Sequence, residues 1–173
     1  ASEEEIAAAF TSRTRAVLLN TPLNPTASVF DDEMLARIAR LCVRHDAIAI
    51  SDEVWEHVVF GDVRHRSMLS APGMRDRTIK IGSAGKIFAM TGWKVGFVCA
   101  APALTEAVAK AHQFLTFTTP PHLQTAVAFG LGKNAAHFDA MRGGYARSKA
   151  RLELALAAEG FVTLPCAGTY FIN

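Results

Sequence analysis

Cysteine is scarce in this sequence of 173 residues: Cys42, Cys99 and Cys166 make an odd number with no C-x-x-C spacing. A disulfide framework or a zinc site is therefore not expected, no metal is assigned, and the thiols read as reduced and mostly buried. Charge is equally unobtrusive. With 18 Lys and Arg against 16 Asp and Glu, the net charge of +2 is small and evenly spread, which argues against nucleic acid or a membrane surface as partner. No run reaches the roughly 18 continuous apolar residues of a membrane helix. The acidic opening Ala1-Ser-Glu-Glu-Glu5 is unlike a secretory leader, so a cytoplasmic location is expected. The chain opens without Met and closes on the uncapped apolar run Tyr170-Phe-Ile172, as a stretch of a longer polypeptide would. What it has in quantity is apolar residues, at 50%, enough for one sizeable core.

Along the chain, Ser2 followed by Glu3, Glu4 and Glu5 predicts a short capped helix over 2–10. Arg15 to Asn20 reads as a buried strand. Two prolines then make Asn20-Thr-Pro-Leu-Asn-Pro-Thr26 a rigid loop. Met34, Leu35, Ile38, Leu41 and Cys42 recur at helical spacing before the apolar strand Ala47–Ile50, giving a β-α-β unit. Further strands are expected at Thr78–Ile81 and Lys94–Cys99. Helices are expected over Pro102–Phe114, from Pro121 to Leu131, and on to Glu159, with Gly160 ending the last. Two more strands are expected at Phe161–Leu164 and Thr169–Ile172. The alternation predicts an α/β fold: a mainly parallel sheet with helices on its faces.

In such sheets, ligands collect beyond the carboxyl ends of the strands. Three loops fall there: Asn20–Thr26, Ser51-Asp-Glu-Val-Trp-Glu56, and Gly82-Ser-Ala-Gly-Lys-Ile-Phe88 with Thr91-Gly-Trp-Lys-Val-Gly96. Taken singly, Asp52 reads equally as a turn or cap residue, Lys86 as a solvated lysine and Asn24 as a turn former. Together they offer an amide, a carboxylate, a hydroxyl and two amines, a set suited to an anionic, aromatic, carbonyl-bearing ligand.

These four motifs, in this order and spacing, resemble class I aminotransferases, in particular the branch of kynurenine, glutamine and succinyldiaminopimelate aminotransferases. The likeness runs from about Arg15 to Phe171. It implies the three-layer α/β/α large domain of fold-type I enzymes over 1–132, with an interdomain helix and the start of a smaller α+β domain over 133–173. It also implies pyridoxal 5'-phosphate as cofactor, amino acid and 2-oxo acid substrates, and a homodimer. Lys86 would hold the cofactor aldehyde as a Schiff base and shuttle the α-proton, which requires a neutral amine. Asp52 would keep the pyridine nitrogen protonated, so that the ring withdraws electrons. Asn24 would bond the ring oxygen, while Ser83 and Lys94 would hold the phosphate, Lys94 as a point charge where many relatives have arginine.

Two positions depart from the family. Trp55 stands where tyrosine is usual, offering an N–H but no hydroxyl to the ring. Ala27 stands where glycine follows Asn-Pro-Thr, and is strained if that position needs a positive φ. The family's first phosphate loop, ring-stacking aromatic and carboxylate-binding arginine have no counterpart here, so a fragment unable to form a complete site is expected. Phe114–Pro121 resembles a loop that relatives extend toward the neighbouring subunit. Trp93 is expected beneath the cofactor loop; Tyr145 and Tyr170 are expected to be structural. His57, His65, His112 and His122 lack ligand spacing and read as surface or capping residues. Two further readings share the scaffold: a carbon–sulfur β-lyase acting on cysteine conjugates, and the aminotransferase-like sensor domain of a transcription regulator.

Overall fold

The computed structural model describes residues 2–173, with the side chain of Glu3 excepted. Its centre is a four-stranded sheet in the order β1 (Ala16–Asn20), β2 (Ile48–Asp52), β3 (Thr78–Ser83), β4 (Gly96–Cys99). The first three strands are parallel and β4 runs antiparallel to β3. This is the expected α/β architecture with a mainly parallel sheet.

Local chemistry sets the helix ends. In α1 (Glu3–Ala9), Ser2 and Glu5 form a reciprocal capping box, with Glu5 N donating to Ser2 Oγ at 3.2 Å and Ser2 N to Glu5 Oε2 at 2.6 Å. Asp31 caps α2 (Asp32–Arg44) by accepting from Met34 N at 2.8 Å. The helical spacing of Leu35, Ile38, Ala39 and Cys42 puts all four on one buried face. That face packs against Leu19 and Ala49 of the sheet and against Met68 and Met74 to make the main core.

Because strand side chains alternate, Ala49 and Ser51 point into this core side, while Ile50 and Asp52 point to the other. On that second face Leu18, Ile50 and Ile79 lie abreast, and Leu18 is 75% exposed. After β3 come a single helical turn, α3 (Ala84–Ile87), then α4 (Pro102–Gln113), α5 (Pro121–Leu131) and the long α6 (Ala135–Ala158), capped by Asn134. Gly160 follows at φ +84°, as a helix-ending residue should. No described helix is long and apolar enough to cross a membrane.

The two strands expected in the last thirteen residues do not form. This stretch is irregular apart from one bridge, Val59 with Gly168, and Thr169 at φ +65° interrupts any extended run. An apolar run becomes a strand only where a neighbouring edge accepts its ladder, and the described residues offer none here. Cys42 is buried and Cys166 partly so, but Cys99 is exposed on β4, against the expectation for buried thiols.

Candidate active site

The registers bring the three loops to one edge. Asn20 pairs with Asp52, and Asp52 with Ile81, so β1, β2 and β3 end abreast. Asp52 accepts a hydrogen bond from Val54 N at 3.2 Å through Oδ1, and its other oxygen is uncommitted among the described residues. The 20–26 loop, with cis peptides at Thr21–Pro22 and Asn24–Pro25, leaves Asn24 exposed beside this edge. Ala27 adopts the left-handed conformation, φ +59°, although its side chain is fully buried. It is held there from both sides. Its N–H donates to Leu23 O at 2.9 Å, and its carbonyl accepts from Ala167 N at 2.9 Å and Gly168 N at 3.0 Å.

Lys86 sits in α3, directly after β3. Its Nζ lies 5.0 Å from the ring centroid of Trp55, and no carboxylate pairs with it among the described residues. Trp55 is buried at 1% exposure, edge-on to Tyr170 at 4.3 Å and to Phe171 at 5.5 Å. The indole is thus an aromatic floor under the amine. A ring face attracts a cation and offers it no strong acceptor.

Ser83 is the N-cap residue of α3, but its hydroxyl accepts no capping N–H. Lys94 is exposed at φ +56° and is brought to the same loop by the backbone: Ala84 N donates to Val95 O at 3.1 Å and Met90 N to Gly85 O at 3.0 Å. A Cβ built at Gly85 would lie 2.9 Å from Thr91 Cα and 3.3 Å from Ser83 Oγ, so only glycine lets these segments close. Trp93, expected beneath this loop, is instead 43% exposed and lines an open groove with Phe97, Val98 and Val108. The left-handed Lys94 turns the chain so that Val95, not Trp93, enters the small cluster with Ala84 and Val127.

A polar network behind the site had no counterpart in the sequence reading. Glu53, next to Asp52 but on the opposite face, is completely buried. Its Oε1 accepts from Ser51 Oγ at 2.8 Å, Met68 N at 3.0 Å and Ser67 Oγ at 3.1 Å; its Oε2 meets His65 Nε2 at 3.0 Å. Burial alone would push this carboxyl up. The bonds from His65, the Met68 amide and Ser51 outweigh it and hold the group below the usual carboxylate range. His65, expected in a surface or capping role, is instead a partner of Glu53, with its side chain only 7% exposed. Glu53, Glu56 and His65 cluster as metal ligands do, but Lys80 Nζ reaches the same carboxylates, at 3.8 Å from Glu53 and 2.5 Å from Glu56, and supplies the positive charge. His57 stacks on Phe138 at 4.4 Å, and burial holds its ring below the usual imidazole range, against the pull of Glu56.

The groups at the edge suit a phosphorylated aromatic aldehyde. The amine has no salt-bridge partner, one carboxylate oxygen is free, the Ser83 hydroxyl is uncommitted, and Gly85 lets the Ser83 and Thr91–Lys94 segments close together.

The family model for aminotransferase class I and II matches residues 2–172. Methionine aminotransferase of Escherichia coli is 40% identical over 170 residues, which cover 98% of this chain and 44% of that protein. A probable N-succinyldiaminopimelate aminotransferase of Mycobacterium tuberculosis is 40% identical over 164 residues, 95% of this chain and 41% of its own length. The solved structure of the Mycobacterium tuberculosis N-succinyldiaminopimelate aminotransferase superposes with a TM-score of 0.94 at 38% identity, over 98% of this chain and 44% of that one. The chain thus spans less than half the length of these relatives.

Proposed function

Because this chain belongs to the aminotransferase class I and II family, we propose that it forms the cofactor-binding part of an enzyme that moves an amino group between an amino acid and a 2-oxo acid in ping-pong turnover. The observation that carries this reading is Lys86: an amine without a salt bridge, above the Trp55 ring, beside the strand end that bears Asp52. The relatives' names favour amino transfer over carbon–sulfur elimination or a sensor role.

Bound pyridoxal phosphate supplies an aldehyde that carries the amino group and a ring that withdraws electrons. Lys86 would hold that aldehyde and, when released by substrate, take and return the α-proton; Trp55 keeps the amine over an apolar ring instead of against a carboxylate. Asp52, with one oxygen on Val54 N, would turn the other to the pyridine nitrogen and keep its proton in place. Asn24 would donate to the ring oxygen. Ser83 and Lys94, joined through the Ala84–Val95 backbone bond, would hold the phosphate.

The same reading assigns residues 1–132 to a large domain and 133–173 to an interdomain helix and the start of a second domain. It also makes the protein a cytoplasmic homodimer without nucleic-acid or membrane partners. The loop after α4 supports the dimer, since Phe114, Leu115 and Phe117 are 86%, 80% and 73% exposed, an apolar cost that a subunit contact removes.

The test is borohydride reduction of the whole protein with pyridoxal phosphate, followed by mapping of the labelled peptide. Label on Lys86, abolished in Lys86→Ala with stability changed by less than about 0.5 kcal/mol, is the expected result. Label that persists in that variant refutes the assignment.

A further inference from the structure

Asn20 ends β1, and its side-chain amide touches both neighbouring loops at once. Nδ2 donates to Asp52 O at 3.1 Å and to Pro22 O at 3.3 Å, and Oδ1 accepts from Asn24 N at 3.0 Å. Thr21 N also donates to Asp52 O, at 3.1 Å, so the carbonyl beneath the Asp52 side chain takes two donors. Both hydrogens of the Asn20 amide and one lone pair are used, in a partly buried place.

The residue type follows from this pattern. Asp has the acceptor but neither donor. Ser is too short to reach both loops, and Gln carries the amide one carbon too far.

We propose that Asn20 is a positioning residue that fixes the separation of Asp52 and Asn24, and so of the groups meeting the cofactor's ring nitrogen and ring oxygen, a role that rests on the cofactor reading above. It touches neither ring atom itself. It works by clamping the Asp52 carbonyl with one end of its amide and the Asn24 N–H with the other. A ring held by two partners is sensitive to their spacing, because both bonds are made at full strength at one separation only.

The test is a double-mutant cycle on pyridoxal phosphate affinity in the whole protein, joined to hydrogen exchange at the Asn24 amide in the cofactor-free form. Asn20→Ala is expected to weaken binding by on the order of tenfold. In the Asn24→Ala background its effect is expected to be much smaller, because the alanine at 24 has no ring contact left to position. Exchange at residue 24 should quicken in Asn20→Ala and stay slow in Asn20→Asp, which keeps the acceptor. If the alanine variant does not fold, Asn20→Asp, nearly identical in shape, carries the same cycle through its lost donors. Wild-type protein that takes up no pyridoxal phosphate sinks the cofactor reading and this one together. Wild-type binding with multiplicative single effects, or exchange unaltered in Asn20→Ala, overturns only the role of Asn20.

Discussion

Glu53→Gln is a sharp perturbation, because it keeps the shape of a buried side chain and removes its charge. A hydrogen bond to a charged group contributes about 1.5–3 kcal/mol and one between neutral groups about 0.5–1.5. Glutamine can still accept from Ser51, Ser67 and Met68 N, each bond weakened by roughly 1 kcal/mol, but its NH2 then faces the Lys80 ammonium, which is also a donor, and His65 loses its charged partner. Part of this loss is offset, since a neutral amide has a smaller desolvation penalty and Lys80 keeps Glu56 at 2.5 Å. The net expectation is a loss of about 2–3 kcal/mol, against about 3–5 for Glu53→Ala, which leaves every donor unpaired. For a chain of this size that lowers the melting temperature by roughly 5–10 °C. The pH profile separates charge from packing. The Glu53 carboxyl lies lower in the fold than the ~4.3 of an unfolded glutamate, so its contribution is complete above about pH 5 and is lost as pH falls through the folded value. His57, held low by burial, removes stability earlier, as pH falls below about 6.5 and the unfolded ring protonates. Urea titrations from pH 7 to 3 should therefore show both acid losses in the wild type and only the upper one in Glu53→Gln. A variant as stable as the wild type at pH 7, with the lower acid loss intact, refutes the reasoning.

Two smaller perturbations test the loops. Ala27→Gly relieves about 1–2 kcal/mol of left-handed strain, but forfeits a buried methyl of about 0.8 and adds about 0.4–1 of backbone freedom to the unfolded chain. The unfolding free energy from urea titration should change by less than about 1 kcal/mol, and stabilisation well beyond that would mean the methyl is not packed as described. Gly85→Ala pushes a methyl against Thr91 Cα and Ser83 Oγ, with an expected cost of about 1–3 kcal/mol. Pyridoxal phosphate affinity should fall while the far-ultraviolet circular dichroism stays unchanged; unimpaired affinity would separate Ser83 from the phosphate.

The sequence was readable where one residue's surroundings are set by its immediate neighbours. Periodicity located α2 and β1–β3, the capping box located α1, and the glycine usual at the Ala27 position raised the question of a positive φ, which Ala27 does adopt. It was unreadable where burial comes from remote packing. His65 meets Glu53 only because the turn at Met68–Ser70 folds back under β2, and nothing local distinguishes it from His112 or His122. Glu53 itself, inside a loop already marked for chemistry, was overshadowed by Asp52. Asn20 was seen as a loop boundary; its role depends on β1 and β2 ending in register, which periodicity does not specify. Trp93 was misplaced because the left-handed turn at Lys94 redirects the chain.

The Asn24 loop is also tied to the far end of the chain: Ala27 O holds Ala167 and Gly168, and Asn173 Nδ2 bonds Pro25 O across 148 residues. On a ribosome adding about 5–20 residues per second, that partner is made roughly 7–30 s after the loop itself. During this interval β1–β3 and α2 are already available to pair and pack, while the loop that would face the cofactor has its Asn20 and Thr21 bonds to β2 but not those to Ala167, Gly168 and Asn173. Nascent chains arrested just before residue 167 should therefore carry a formed sheet and a loop held at its Asn20 end only.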